Sequence, residues 1–249
     1  MNRIYWDIDK IAMLTDCMNA SPHRHGMIQF FLCLEEQLEI KVAGEKITCP
    51  GIVVNKNVRH AFKANGKRHL TVVYEPVSQI GRKVSQRLDG KDYFILHETD
   101  ALELKNAALP MPEHFDQTSY RSFMKTMKDC FGVEQEKESL DERITKLFTL
   151  LEHCDCEEHL IEHYASEVCL SPSRLSHLFS EQVGISLKSY LTLHQLERAF
   201  QDLIAGKKIT EAALNAGFDS ASHFAATVKK WMGLSAGKTL KDSEFLKVY

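Results

Sequence analysis

A chain of 249 residues is long enough for one large domain or two ordinary ones, and its 44% hydrophobic and 26% charged residues are the balance of a globular protein. No apolar run approaches the roughly 18 residues of a membrane helix, Asp7 and Asp9 interrupt any N-terminal signal segment, and seven scattered cysteines suit reduced thiols in a cytoplasmic protein rather than a disulfide scaffold. A net charge of −3 supplies no general attraction to nucleic acid, so any DNA contact has to rest on locally placed cations.

Residues 1 to about 97 read as strands. Met27 to Leu34 is a β-prone run, Leu38 to Val42 alternates, and Ile47 to Val54 follows Ala43-Gly44-Glu45, which has the chemistry of a hairpin turn. Ala61-Phe62 and Leu70 to Tyr74 come next, with Asn65-Gly66 as a turn, then a helix in Val77 to Leu88 and a last strand at Tyr93 to Leu96. Short strands at this spacing predict a small sandwich or barrel. Residues 23, 25, 29, 31 and 33 share parity, so His23, His25, Gln29, Phe31 and Cys33 are expected on one side of a strand, with Gly51 and His60 following.

This spacing resembles a cupin pattern, whose metal sites use two histidines, a glutamate and a third histidine. Gln29 stands in the glutamate's place, and losing an anionic ligand weakens divalent-metal binding. Three readings stay open for a pocket of His23, His25, Gln29, Phe31, Cys33 and His60. It holds a small organic effector such as a sugar or carboxylate, it holds a divalent metal, or its polar groups merely line the interior. A metal-dependent cupin enzyme is the least favoured use of these residues.

From about Glu113 the periodicity is helical. Tyr120, Phe123, Met124, Met127 and Phe131 recur at helical steps, as do Leu140, Ile144, Leu147, Phe148 and Leu151, with Gly132-Val133 between them. An antiparallel helix pair is expected over 113–154, serving as linker and as the seam of a homodimer. Cys154-x-Cys156, flanked by His153 and His159, is a second candidate for metal or thiol sensing, although its spacing is shorter than that of usual zinc sites.

The strongest signal is an internal repeat. Ser171, Leu175, Phe179 and Gly184 return as Ser220, Phe224, Val228 and Gly233, each 49 residues later. Ser171 is a good N-cap, Pro172 suits the first helical position, and Gly184 permits the left-handed backbone that ends a helix. In the second copy Ser220 caps and Gly233 terminates. Each copy is preceded by a short helix and a tight turn: Glu158 to Val168 with Cys169-Leu170, and Glu211 to Ala216, capped by Thr210, with Gly217-Phe218. Helix, turn and capped helix make a helix-turn-helix unit, whose second helix enters the major groove. Ser186 to Ile204 reads as one connecting helix of roughly 28 Å. That length approaches the roughly 34 Å of one duplex turn, so twin probes would reach successive major-groove segments.

The stretch from Val168 to Phe179 with Gly184-Ile185-Ser186, and Ala216 to Ser220 followed by His223-Phe224 and Lys229-Lys230, resembles the AraC/XylS family of transcription regulators over about residues 158 to 242. The resemblance implies a sequence-specific regulator, usually an activator, that binds a double-stranded operator and works with RNA polymerase. It implies an α+β two-domain chain: a cupin-like effector domain over 1–112, the helix pair over 113–154, and an all-α DNA-binding domain with two helix-turn-helix units over 155–249. Matching positions suggest base-facing roles for Ser173, Arg174, Ser176 and His177 in the first unit. In the second they fall on Ala221, Ser222, Ala225 and Ala226, with His223 beside them. Family members commonly carry arginine where this chain has Ala226 and Gln195, and proline where it has Ala236. Since a well-placed bidentate side chain discriminates bases by about 1–3 kcal/mol, the first unit is expected to carry most of the specificity. Residues 155–249 hold 10 Lys+Arg against 12 Asp+Glu. Phosphate contacts therefore fall to Ser171 and Ser220 at helix starts and to Lys188, Arg198, Lys207, Lys208, Lys229 and Lys230.

Overall fold

The computed structural model describes residues 2–133, 140–152, 161–232 and 243–248, and the chain divides into two compact units, 1–134 with 225–249 and 135–224. In the first unit, the seven-stranded sheet runs in the order β10 (Tyr93–Ile95), β7 (Gly51–Val54), β4 (Ile28–Cys33), β9 (His69–Tyr74), β2 (Lys10–Thr15), β1 (Asn2–Trp6) and β11 (Ser243–Lys247). A four-stranded sheet runs β3 (Asn19–His23), β8 (His60–Lys63), β5 (Leu38–Val42) and β6 (Glu45–Cys49). All ladders are antiparallel except β1 with β11. The expected β-rich body thus takes the form of two facing sheets.

Strand β4 lies between two cores, and its alternation sorts residues between them. Ile28, Phe30 and Leu32 join Tyr5, Leu70, Val72 and Tyr74 in the core shared with helices α1 (Gln79–Leu88), α2 (Glu98–Ala108) and α3 (Gln117–Cys130). Phe31 and Cys33 join Ile52 and Val54 against Ile40, Val42, Cys49 and Phe62 of the smaller sheet. The expected strand Ile47 to Val54 is divided between the two sheets at Pro50-Gly51. Proline has no N–H for a ladder; the Pro50 carbonyl accepts from the Cys33 amide at 3.0 Å instead. A Cβ on Gly51 would meet Leu96 Cδ1 at 2.5 Å and the Phe31 carbonyl oxygen at 3.1 Å, so a larger residue there would force the Leu96 side chain to shift.

Strands β1, β2 and β3 were covered only by the general reading of residues 1 to 97 as strands, and helix α2 and strand β11 escaped it altogether. Helix α2 has a short apolar face of Ala101, Leu104 and Ala108. Strand β11 pairs parallel with β1 from Asn2↔Ser243 to Trp6↔Lys247, an ion pair between Arg3 Nε and Glu244 at 3.1 Å reinforcing it.

The two helices expected over 113–154 are present as α3 and α4, one in each unit. Tyr120, Phe123, Met124 and Met127 of α3 are buried in the core of the first unit, where Tyr120 stacks on Tyr5 at 5.2 Å and donates to Asp7 at 2.8 Å. Helix α4 (Glu142–Glu152) belongs to the second unit, with Phe148 5.9 Å from Phe179 and 5.3 Å from Tyr190. Ile144, Leu147 and Leu151 of the second stripe are buried, whereas Leu140 is exposed.

The second unit continues with α5 (Ile161–Glu167), α6 (Pro172–Val183), α7 (Leu187–Ile204) and α8 (Ile209–Asn215), and the division between units falls inside α9 (Ala221–Met232). Helix α7 is a single 18-residue rod of about 27 Å that carries Leu191, Leu196, Ala199 and Phe200 inward.

The turns after α5 and α8 are built alike. Cys169 and Gly217 take left-handed backbone at φ 54° and 84°. The following amides of Leu170 and Phe218 return to the Ala165 and Ala213 carbonyls at 2.8 and 3.0 Å, closing the Schellman pattern. A side chain in this conformation costs about 1–2 kcal/mol, which glycine avoids. Gly217→Ala is therefore expected to lower stability by about 1–2 kcal/mol, whereas Cys169→Gly leaves it unchanged or slightly raised. Urea denaturation of the full chain measures both; equal losses at the two positions would remove the backbone explanation.

Candidate nucleic-acid interface and effector site

Each helix-turn-helix unit ends in a capped helix. Ser171 Oγ accepts from the Arg174 amide at 3.2 Å, Pro172 opens α6, and Gly184 closes it with φ 84°. Ser220 Oγ accepts from the His223 amide at 3.1 Å at the start of α9. Thr210 does not cap the second unit's first helix. That helix begins at Ile209, two residues before the expected start at Glu211, with Lys208 at the N-cap and no side-chain hydrogen bond. Gly233 and Ala236 lie outside the described residues.

Helix α6 buries Leu175, Leu178 and Phe179 and leaves Ser173, Arg174 and His177 exposed on the other face. Ser176 is half-buried, and its hydroxyl donates to the Pro172 carbonyl at 2.9 Å. It is therefore the least free of the four expected readers. On α9, Phe224 and Val228 are buried, while Ser222, His223, Ala225 and Ala226 are exposed. His223 Nδ1 stands 2.9 Å from Asp219 Oδ2, which orients the ring across the start of the helix. Asp219 belongs to a loop between turn and cap that is one residue longer than in the first unit. The turns repeat after 48 residues (169 to 217) and the capped helices after 49 (171 to 220).

The expected phosphate-contacting cations divide by exposure. Lys188, Lys208, Lys229 and Lys230 are exposed, Lys207 pairs with Asp202 at 2.9 Å, and Arg198 is half-buried. Gln195, where an arginine was expected, donates from Nε2 to the Gly217 carbonyl at 3.0 Å and ties α7 to the second turn.

In the first unit, the imidazoles and the amide converge from different strands. His23 ends β3, His60 begins β8 opposite it in register, His25 lies in the loop beyond β3, and Gln29 comes from β4 of the other sheet. Nε2 of His25 and Nε2 of His60 each stand 3.0 Å from Gln29 Oε1. Nδ1 of His23 lies 2.8 Å from the Ser21 carbonyl, and Nδ1 of His60 lies 3.0 Å from that of Val58. Ring centroids are 4.4 Å apart for His23 and His60 and 5.2 Å apart for His25 and His60. Among the described residues, these three histidines bring one ligand atom each within 4.8 Å of one another. Burial pushes His25 down to about 4 and His60 to about 3, and lowers His23 as well, so all three rings are neutral at pH 7.

Phe31 lies beside the cluster, 6.0 Å from the His60 ring. Cys33 is not part of it. Cys33 packs deeper in the layer near Cys49, whose thiol burial pushes up to about 11. Shared parity on one strand did not gather these groups; the register of β3 against β8 did. A separate groove of about 520 Å³ runs along the smaller sheet past Asn19, Ser21, Glu39, Lys41 and Lys46. Cys154 and Cys156 lie outside the described residues.

A family model described as a helix-turn-helix domain matches residues 164–242. The chain is 41% identical over 76 residues to the arabinose operon regulatory proteins of Salmonella typhimurium and Escherichia coli. Those matches take in 30% of this chain and only 27% and 26% of the relatives' length. A transcriptional regulator from Chromobacterium violaceum, described as containing an AraC-type DNA-binding domain, is 30% identical over 41% of this chain and 91% of its own, with a TM-score of 0.37. ToxT from Vibrio cholerae aligns over 94% of this chain and 98% of its own at 13% identity and a TM-score of 0.48. Among the described residues no helix is long and apolar enough to cross a membrane.

The two caps set where each exposed face begins. Ser171→Ala and Ser220→Ala are each expected to cost about 1 kcal/mol of stability, and Ser171→Asp to cost little, because a carboxylate caps as well as a hydroxyl. Thermal denaturation reads all three; an alanine variant as stable as the parent would show that the cap does not hold its helix.

Proposed function

We propose, from the match of residues 164–242 to a helix-turn-helix domain and the 41% identity over 76 residues to arabinose operon regulatory proteins, that the chain is a sequence-specific DNA-binding transcription regulator, an activator controlled by a small effector held in its N-terminal body. One observation carries this reading. Two separately capped helices, α6 and α9, each bury an apolar face and present a polar or small-residue face to solvent, with one rigid helix between their units. That is the arrangement by which recognition helices enter major grooves.

The work of recognition is divided unequally. Arg174 and His177 give α6 two side chains able to donate hydrogen bonds to base edges, whereas Ala225 and Ala226 offer only apolar contact, for instance with a thymine methyl. The first unit reads sequence. The second positions the protein through Ser222, His223 and the exposed Lys229 and Lys230, with Lys188 adding a phosphate contact on α7. The role is regulatory rather than enzymatic, the setting is the cytoplasm, and RNA polymerase is the partner that an activator requires. A homodimer would raise operator occupancy through effective concentration.

Fluorescence anisotropy against a library of duplexes, run across a salt series, tests the reading. Arg174→Ala and His177→Ala are each expected to relax base preference at one position and to weaken the best site by about 1–3 kcal/mol. Lys229→Ala with Lys230→Ala should weaken all duplexes alike and flatten the salt dependence. Equal affinity for every duplex at physiological salt would overturn the function. Loss of preference only from α9 variants would overturn the division of labour.

A further inference from the structure

The smaller sheet has a cavity on the face turned away from the histidine cluster. Strand alternation sends His60 and Phe62 of β8 inward and Ala61 and Lys63 outward, and on β5 it sends Ile40 and Val42 inward and Glu39 and Lys41 outward. The groove of about 520 Å³ lies on that outward face, and its volume is that of a small-molecule site. Its floor is open because Ala61, opposite Lys41 in the ladder, is too small to fill it.

The charge around the groove is unbalanced. Lys41 and Lys46 stand directly opposite each other across the β5–β6 ladder, a pairing of like charges that costs stability. Lys63 is two residues beyond Ala61 on β8, which makes it the diagonal neighbour of Lys41, about 7–8 Å away. Glu39 is the one carboxylate lining the groove, and Lys46 holds it at 2.8 Å. Among the described residues no ion pair engages Lys41 or Lys63. Two ammonium groups therefore border one open space with no anion between them. The opposite wall carries the exposed amide of Asn19 and hydroxyl of Ser21.

We propose that this groove binds a small phosphate monoester with a hydroxylated body, of the sugar-phosphate class. The inference rests on the regulatory reading, to which it adds the chemistry of the effector and a place for it outside the sandwich interior. Lysine is a mobile point charge with three donors and suits a tetrahedral dianion, whereas a flat carboxylate calls for the planar fork of arginine. Lys41 and Lys63 take the phosphate, Asn19 and Ser21 hydrogen-bond the hydroxyls, and Ala61 leaves room for the body between them. An acidic peptide fits less well, because a peptide adds as a strand at a free sheet edge. This groove instead crosses the face of the sheet from β3 to β6.

The test titrates the full chain with the terminal phosphate monoesters of glycerol, ribose and glucose, followed by calorimetry and phosphorus NMR. Saturable binding of at least one ester is expected, weakened by added salt, with inorganic phosphate weaker and glucose silent. Lys41→Ala and Lys63→Ala should each weaken it by about two- to fivefold, the scale of an exposed charge pair. Glu39→Gln, which removes the carboxylate and frees Lys46, should tighten it, a gain that no misfolded variant can mimic. Ala61→Ile, a residue that favours strands, fills the floor and should abolish binding, while Lys83→Ala on α1 leaves it unchanged. No binding of any of the three esters would overturn the site, as would binding lost in His25→Ala and indifferent to the changes at Lys41, Lys63 and Ala61. Duplex anisotropy separates the two conclusions. The bound ester should shift affinity for the best duplex by about fivefold or more, a shift absent in Ala61→Ile, and an unchanged affinity would overturn the effector role. Sequence-specific duplex binding by a chain that takes up no ester keeps the regulator and removes the site, and ester binding without sequence preference does the reverse.

Discussion

Burial of β4 on both faces is the constraint on which the N-terminal body depends. A strand with one wet face can place polar groups anywhere on it, but every residue from Ile28 to Cys33 is buried. Each polar side chain on it must then find a partner inside the protein. Gln29 is the one that does so by crossing to the other sheet, and its two nearest polar atoms are imidazole nitrogens. The surrounding Phe31, Ile52, Val54 and Phe62 make that polar cluster an island in an apolar layer. Desolvation there keeps the histidines neutral, so the same packing that stabilises the sandwich also prepares lone pairs.

The DNA-binding half rests on a different and more local device. A left-handed turn residue stops one helix, a serine hydroxyl starts the next, and the interval between them sets the direction of the exposed face. Both copies use the device, with cysteine at the turn in the first and glycine in the second. The extra residue before Ser220 brings Asp219 within 2.9 Å of His223, whereas Leu170 stands before the cap in the first copy. The two units therefore differ in the chemistry presented at their helix starts as well as in the residues along their faces.

This locality explains what the sequence disclosed. Caps, proline at the first helical turn and terminal glycines act within four or five residues, so the repeat, α6, α7 and the turn after Ala43 could be read directly. Thr210 misled because a good capping residue stood one place inside a helix that starts without a side-chain cap. Long-range pairing left no such mark. Strand β11 exists because it lies beside β1, more than two hundred residues away, and α2 shows too small an apolar face to announce itself. The stripes of α3 and α4 were recognised, but periodicity reports only that a face is covered and not by what. The histidines were identified individually, whereas their convergence depended on the β3–β8 register and on β4 reaching in from the other sheet.

Charge connects the two halves of the regulatory reading. A domain with 10 cations against 12 anions gains little from the phosphate backbone beyond a few placed lysines and helix starts. A strongly basic domain would remain on DNA whatever its effector did, because a small coupling energy is lost against a large nonspecific attraction. Under the proposed function the few placed cations leave a modest intrinsic attraction, so the usual 1–3 kcal/mol of allosteric coupling would change operator affinity by about 5–150-fold.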